Sequence, residues 1–287
     1  MRAETQSPPA SVEALLRAGV RLLATASDSP RLDAELLLAH TLGCGRAQLF
    51  TRRAEMLEHA MAGRYLDLLA ARRQQQPVAQ LTGRREFWSM DFAVTPEVLV
   101  PRPETELLVE RALALLPPAG APCVLDLGTG SGAVAIAIAS ERSDCTVTAT
   151  DLSATALAVA QRNAAALGCA NLRFAAGDWF DAIGDGCFDV IVSNPPYIAD
   201  HEWAACDPGL AFEPRSALAG GPDGLTHLRA IAAAAPGHLA PGGWLIVEHG
   251  ADQAEAVCAL FTQAGLRNVT TSSDLAGLPR VSEGRRP

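Results

Sequence analysis

Five residues, Cys123-Val124-Leu125-Asp126-Leu127, run straight into Gly128-Thr129-Gly130-Ser131-Gly132 and then into an apolar stretch over 133–140. A short apolar run, a glycine turn and an apolar helix in that order predict a buried strand, a loop and a helix of an α/β sheet. Glycines at such a turn let a ligand approach the backbone closely. A second strand, over 146–150, ends at Asp151, about 20 residues beyond the loop. An acid at that distance and at a strand tip holds ribose hydroxyls. A helix cap ahead of Leu152-Ser153 is the plainer alternative.

The same alternation continues. A helix over 155–167 stops at Gly168, and a third strand covers 171–174. Gly177-Asp178-Trp179-Phe180 follows it, so Asp178 and Trp179 are placed to border a purine; a buried structural tryptophan is the alternative. The fourth strand, 188–192, runs into Ser193-Asn194-Pro195-Pro196-Tyr197. Pro195 has no N–H, and Pro196 forces its predecessor away from helical angles. The strand stops there with its end open, where ligands of α/β sheets bind. Asn194 offers one acceptor and two donors, and an aromatic ring follows. This suits a planar amino group, whose hydrogens need acceptors and whose faces can meet a ring. An ordinary turn leaving a strand is the alternative. A long connection over 211–221 hints at function. The reading then continues with a helix over 225–239, a turn at Pro241-Gly242-Gly243, a strand over 244–248 and a helix over 253–264. Strands near 267–271 and 280–281 finish the sheet.

The front of the chain differs. Residues 11–73 read as helices, with Ser11 as a cap, Pro30 ahead of a second helix and a third over 54–73. His40 and His59 have no partners at metal spacing. Residues 85–94 suggest a hairpin turning near Ser89, and Pro103 opens a helix over 104–116 with an acidic start. The domains read as 1–75 helical and used for contact, 76–108 a hairpin linker, and 109–287 the α/β part.

Composition removes several functions. With 23 basic and 32 acidic residues the net charge is −9, which repels phosphate backbones unless a basic patch compensates. Arg52-Arg53, Arg72-Arg73 and Arg84-Arg85 read as solvated surface. The first ten residues lack the apolar core of a signal peptide, and no apolar run approaches bilayer length, so no membrane is expected. Seven scattered cysteines without a Cys-x-x-Cys pair argue against zinc and disulfides, and point to a cytoplasmic home.

The glycine loop lacks the Gly-Lys-Ser/Thr ending of a nucleoside triphosphate site. A dinucleotide or S-adenosylmethionine remains. The third glycine of a dinucleotide loop is missing after Gly132, and Asp126 sits badly beside a pyrophosphate. S-adenosylmethionine carries an ammonium and a sulfonium but no phosphate, and Asp126 and Asp151 fit it better.

Four stretches then carry a resemblance: Pro101-Arg102-Pro103-Glu104-Thr105-Glu106, Asp126-Leu127-Gly128-Thr129-Gly130-Ser131-Gly132, Asn194-Pro195-Pro196-Tyr197, and Glu213-Pro214-Arg215 with Gly220-Gly221 and Asp223-Gly224-Leu225. The chain resembles the release factor glutamine methyltransferase family, the HemK-type protein-(glutamine-N5) methyltransferases, over nearly its whole length. Gln80 departs from it, standing where the family often has tyrosine. The resemblance implies a class I S-adenosylmethionine-dependent methyltransferase fold, Rossmann-like with a mostly parallel seven-stranded sheet, plus a small all-helical N-terminal domain. It implies methyl transfer from S-adenosyl-L-methionine to the glutamine amide of the Gly-Gly-Gln loop of class 1 peptide chain release factors. S-adenosyl-L-homocysteine would be the product, and no metal or direct nucleic acid contact is expected. Asn194, Pro195, Pro196 and Tyr197 would be catalytic. Asp126, Gly128, Thr129, Gly130, Ser131, Gly132, Asp151, Asp178, Trp179 and Asn194 would hold the cofactor. A ribosomal-protein glutamine methyltransferase, an adenine-amino methyltransferase and a non-catalytic cofactor-binding protein are the competing readings.

Overall fold

The computed structural model describes residues 10–287. The polar start read in the sequence, residues 1–9, lies outside the described residues. The chain forms two compact units. The first comprises residues up to Gly83 together with Pro208–Phe212; the second comprises Arg84–Asp207 and Glu213–Pro287.

The first unit contains helices α1 (Val12–Leu23), α2 (Pro30–Thr41), α3 (Gln48–Thr51), α4 (His59–Arg73) and α5 (Val78–Thr82). Ser11 caps α1, its hydroxyl accepting from Ala14 N at 3.2 Å. Leu15, Leu37, Leu38, Tyr65 and Leu69 form the buried core. Tyr65 donates to the Ala34 carbonyl at 3.3 Å, and a Cβ on Gly19 would stand 2.1 Å from that hydroxyl. One expectation changes here. Residues 54–58 are not helical: Met56–Leu57 pairs antiparallel with Ala10–Ser11, tying the two strands before α4 begins at His59. Gln80 Nε2 donates to the Phe212 carbonyl at 2.8 Å, so the residue that departs from the family pattern is the one that fastens the returning segment.

The second unit opens with a hairpin, Arg84–Phe87 against Met90–Ala93. Its turn residues Trp88 and Ser89 both have positive φ, 53° and 56°, as a two-residue hairpin turn requires. After α6 (Glu106–Leu115) come strands β1 (Cys123–Leu127), β2 (Thr146–Asp151), β3 (Leu172–Ala176), β4 (Phe188–Ser193), β5 (Leu239–Glu248), β6 (Arg267–Ser273) and β7 (Pro279–Arg285). They form one sheet in the order β6-β7-β5-β4-β1-β2-β3, with only β7 antiparallel to its neighbours. Helices α7 (Ala133–Glu141), α8 (Ala154–Ala166), α9 (Thr226–His238) and α10 (Ala254–Gln263) complete it. Apolar β-branched and leucine side chains from β1, β4 and β5 are fully buried, as a sheet covered on both faces demands.

Two local readings are corrected. Residues 103–105 form a 3-10 turn before α6, because Thr105 N bonds the Arg102 carbonyl three residues back. Residues 241–243 do not break the chain away from the sheet. Gly242 N and the Gly243 carbonyl both pair with Arg286, so β5 runs through its bulge from Leu239.

The strand order fixes the site. From β1 the chain goes outward to β2 and β3, then returns to β4 on the other side of β1. Loops leaving β1 and β4 therefore diverge and open a crevice between them. The register sets Leu127 opposite Ser193, and the Ser193 hydroxyl donates to the Leu127 carbonyl at 2.8 Å.

Candidate active site

The glycine loop is folded back over β2. Gly128 N and Thr129 N both bond the Thr150 carbonyl at 2.9 Å. Gly128, Gly130 and Gly132 have φ of +72°, +56° and +84°, angles that side chains rarely adopt. At Gly132 there is no room either, since a Cβ would meet Ile136 at 2.9 Å and Ala160 at 3.1 Å. Gly130 faces open space. Asp151 holds the loop from β2: one carboxylate oxygen accepts from Gly130 N at 2.9 Å, the other from Ser153 N at 2.8 Å. The helix cap expected as the alternative for Asp151 is supplied instead by Ser153, whose hydroxyl accepts from Ala156 N at 3.2 Å at the start of α8.

Asp126 lies beneath the loop, only 2 % exposed, and its carboxylate accepts from the Thr129 hydroxyl at 2.6 Å. Burial pushes its pKa up to about 7, with Asp151 nearby adding to the rise and the Thr129 bond opposing it. The Ser131 carbonyl accepts from Asn163 Nδ2 at 2.8 Å. Asn163 also exchanges two hydrogen bonds with the backbone of Ala93. This buried amide, which joins loop, helix and hairpin, carried no signal in the sequence.

Across the crevice, Asn194 Nδ2 donates to Thr105 Oγ1 at 3.1 Å. Pro195 is buried, and no donor among the described residues pairs with its carbonyl. The Tyr197 hydroxyl donates to Glu248 Oε1 at 3.4 Å. Glu248, at the end of β5, is 1 % exposed, and its Oε2 has no hydrogen-bond partner. Burial pushes its pKa up to about 7 and that of Tyr197 upward as well. Glu213 accepts from Val100 N at 2.9 Å and pairs with Arg102.

Between the two loops lies a cavity of about 220 Å³. Gly128, Gly130, Asp151, Asp178, Trp179, Asn194 and Pro196 line it. Asp126, Thr129, Ser131, Gly132, Pro195 and Tyr197 are not among its lining residues. Leu152, Glu97 and His227 also line it and were not singled out in the sequence. Leu152 is 73 % exposed. Trp179 has φ +45°, and its ring lies 5.4 Å from the His227 ring. A non-glycine residue kept at that angle beside a cavity is characteristic of ligand sites.

Among the described residues no Lys or Arg lines the cavity, whereas Glu97, Asp151 and Asp178 do. With this sheet order and glycine loop, the second unit is a methyltransferase of the Rossmann-like class. The family described as Methyltransferase small domain matches residues 104–206, and PrmC N-terminal domain matches residues 13–83. A methyltransferase structure from Pyrococcus furiosus superposes with a TM-score of 0.52 at 20 % identity, covering 69 % of this chain and 89 % of that one. The chain belongs to the release factor glutamine methyltransferase family. It is 50 % identical to the Burkholderia pseudomallei release factor glutamine methyltransferase, with 99 % of each chain covered. With the Bordetella pertussis relative of the same name it shares 51 % identity, over 89 % of this chain and 94 % of that one.

Proposed function

We propose that the protein transfers a methyl group from S-adenosyl-L-methionine to the side-chain nitrogen (N5) of the glutamine in the Gly-Gly-Gln loop of class 1 peptide chain release factors. The observation that carries this reading is Asn194, held by Thr105 at the open end of β4, on the wall of the cavity that the glycine loop also lines.

The residues present fit the cofactor. A cavity lined by three acids and, among the described residues, by no lysine or arginine suits a ligand with an ammonium and a sulfonium and no phosphate. Asp151 would accept from the ribose hydroxyls, for each of its oxygens has one donor and room for another. Leu152 and Trp179 would cover the purine, and Asp178 would take its amino group. Gly128 and Gly130 leave their backbone open to the amino-acid tail, while Asp126 acts through Thr129 and the buried Ser131 and Gly132 shape the turn. When bound, the cofactor supplies an electrophilic methyl carbon on its sulfonium.

The chain's own work is on the amide. An amide nitrogen is a poor nucleophile because its lone pair is shared with the carbonyl. Asn194 Oδ1 and the Pro195 carbonyl would accept its two hydrogens and hold the lone pair on line. Orientation of this kind lowers barriers by up to roughly 7–11 kcal/mol. Pro196 keeps the loop from rejoining a ladder, and the Tyr197 ring is the surface for the amide plane. Water takes the surplus proton, since a methylated, protonated amide is strongly acidic. The reaction as proposed uses no metal and no nucleic acid. The helical N-terminal part recognises the release factor, and the reaction belongs in the cytoplasm, where translation ends. Among the described residues no helix is long and apolar enough to cross a membrane.

One incubation tests the reading: the protein with methyl-labelled cofactor, a purified release factor, a ribosomal protein fraction and DNA. Label is expected on the release factor glutamine. Label on a ribosomal protein or on DNA alone overturns the assignment.

A further inference from the structure

We propose that Glu248 is a positioning residue that, through the Thr105 hydroxyl, decides which end of the Asn194 amide faces the cavity. The inference rests on the acceptor role given above to Asn194.

The argument starts from proton counting. A threonine hydroxyl has one proton to give and can accept two. Thr105 accepts from Asn194 Nδ2 at 3.1 Å, so its own proton is not used on Asn194. Glu248 is buried beside it, and Thr105 favours its charged form; the two form no hydrogen bond in this structure, where Oε1 accepts from Tyr197 and Oε2 lacks a donor. A buried carboxylate oxygen without a partner is costly, and the Thr105 proton is the donor at hand. While Glu248 is charged, the proton runs from Thr105 toward Glu248. Asn194 must then turn its NH2 to Thr105 and its carbonyl oxygen to the cavity.

Protonated Glu248 reverses the order. Its O–H donates to Thr105, the Thr105 proton goes to the Asn194 carbonyl, and the NH2 swings toward the cavity. There it opposes the substrate's own N–H groups. The groups facing Glu248 are Tyr197 from the loop after β4, Glu104 and Thr105 from the 3-10 turn, and Arg280 from β7. Glu104 raises its proton affinity and Arg280 lowers it, while burial dominates and brings the pKa to about 7. The switch therefore falls in the working range of pH.

The test has two arms. In the first, the side-chain amide resonances of Asn194 are followed by NMR from pH 5.5 to 8.5 without substrate. They are expected to titrate near pH 7 in the wild type and to stay flat in Glu248→Gln. Resonances that do not titrate in the wild type, or that titrate unchanged in the variant, overturn the proposal whether or not the enzyme methylates release factors. The second arm measures kcat against pH. Glu248→Gln, whose NH2 imitates the protonated acid, is expected to lose at least tenfold in kcat, without the acid limb and with unchanged affinity for S-adenosylhomocysteine. Thr105→Val is expected to lose a similar factor, and Thr105→Ser to recover most of it. A Glu248→Gln enzyme within twofold of wild type with its acid limb intact also overturns the proposal. A wild type that labels no release factor counts against the function above, and the NMR arm still decides the role of Glu248.

Discussion

The two loops that meet at the crevice are built on opposite terms. At the β1 end the acids already hold donors: Asp151 has a backbone donor for each oxygen, and Asp126 has the Thr129 hydroxyl. At the β4 end, among the described residues, Glu248 keeps one oxygen without a partner and the Pro195 carbonyl has no donor. The first arrangement is finished before a ligand arrives, which suits tight binding of an unchanging cofactor. The second leaves acceptors free, as the proposed binding of a substrate amide requires, at a cost in stability.

The largest expected effect breaks the comparison at its transfer side. Asn194→Ala should slow methyl transfer by about 2.7–4 kcal/mol, the usual cost of one electrostatic contact in a dry site. Affinity for S-adenosylhomocysteine should fall far less. Asn194→Asp should lie between, because its charge stabilises the sulfonium before transfer more than during it. Single-turnover rates with saturating cofactor give the order; equal rates for Ala and wild type would remove Asn194 from the chemistry.

Stability against pH compares the buried acids themselves. Burial holds Glu248 near 7 in the folded chain, above its ordinary 4.5. The folded state thus keeps a proton that the unfolded chain has released. The stability from that proton is complete below about pH 4.5 and is lost as pH rises through 7, by roughly 3 kcal/mol at most. Glu248→Gln should match the wild type in urea melts at pH 5 and exceed it at pH 8. Parallel stability curves would show that Glu248 does not titrate in the fold.

On the binding side, Asp151→Ala should weaken S-adenosylhomocysteine by about 1.5–3 kcal/mol, through lost bonds to a charged acceptor. Calorimetric titration measures it, and unchanged affinity would sink the ribose role. The smallest effect is Gly130→Ala. Its Cβ meets nothing, so only the left-handed backbone resists, at about 1–2 kcal/mol. Gly132→Ala adds collisions with Ile136 and Ala160 and should melt lower still.

Much of this was legible in the chain. The strands, the glycine loop, the open end at Asn194 and the acid at Asp151 are local patterns, and local patterns survive in sequence. The misreadings were of another kind. Pro241-Gly242-Gly243 has the composition of a turn, yet its backbone pairs with Arg286 from the far end of the chain. Residues 54–58 look helical until Ala10–Ser11 claims two of them for a strand. Asn163 and Glu248 were missed because their meaning lies in partners 70 and 51 residues away. Glu248 did leave one trace, for it ends a strand as Asp151 does.

The first unit is assembled from two stretches of chain, residues up to Gly83 and Pro208–Phe212, joined by the Gln80 bond to Phe212. A ribosome delivers them apart. At about 5–20 residues per second, the interval between Gly83 and Pro208 lasts on the order of 10 s. During that time the helices have been made while their last piece is still untranslated. The newborn chain thus completes its leading unit only after β1 to β4 have been made, and a message truncated before Pro208 yields helices that lack this closing segment.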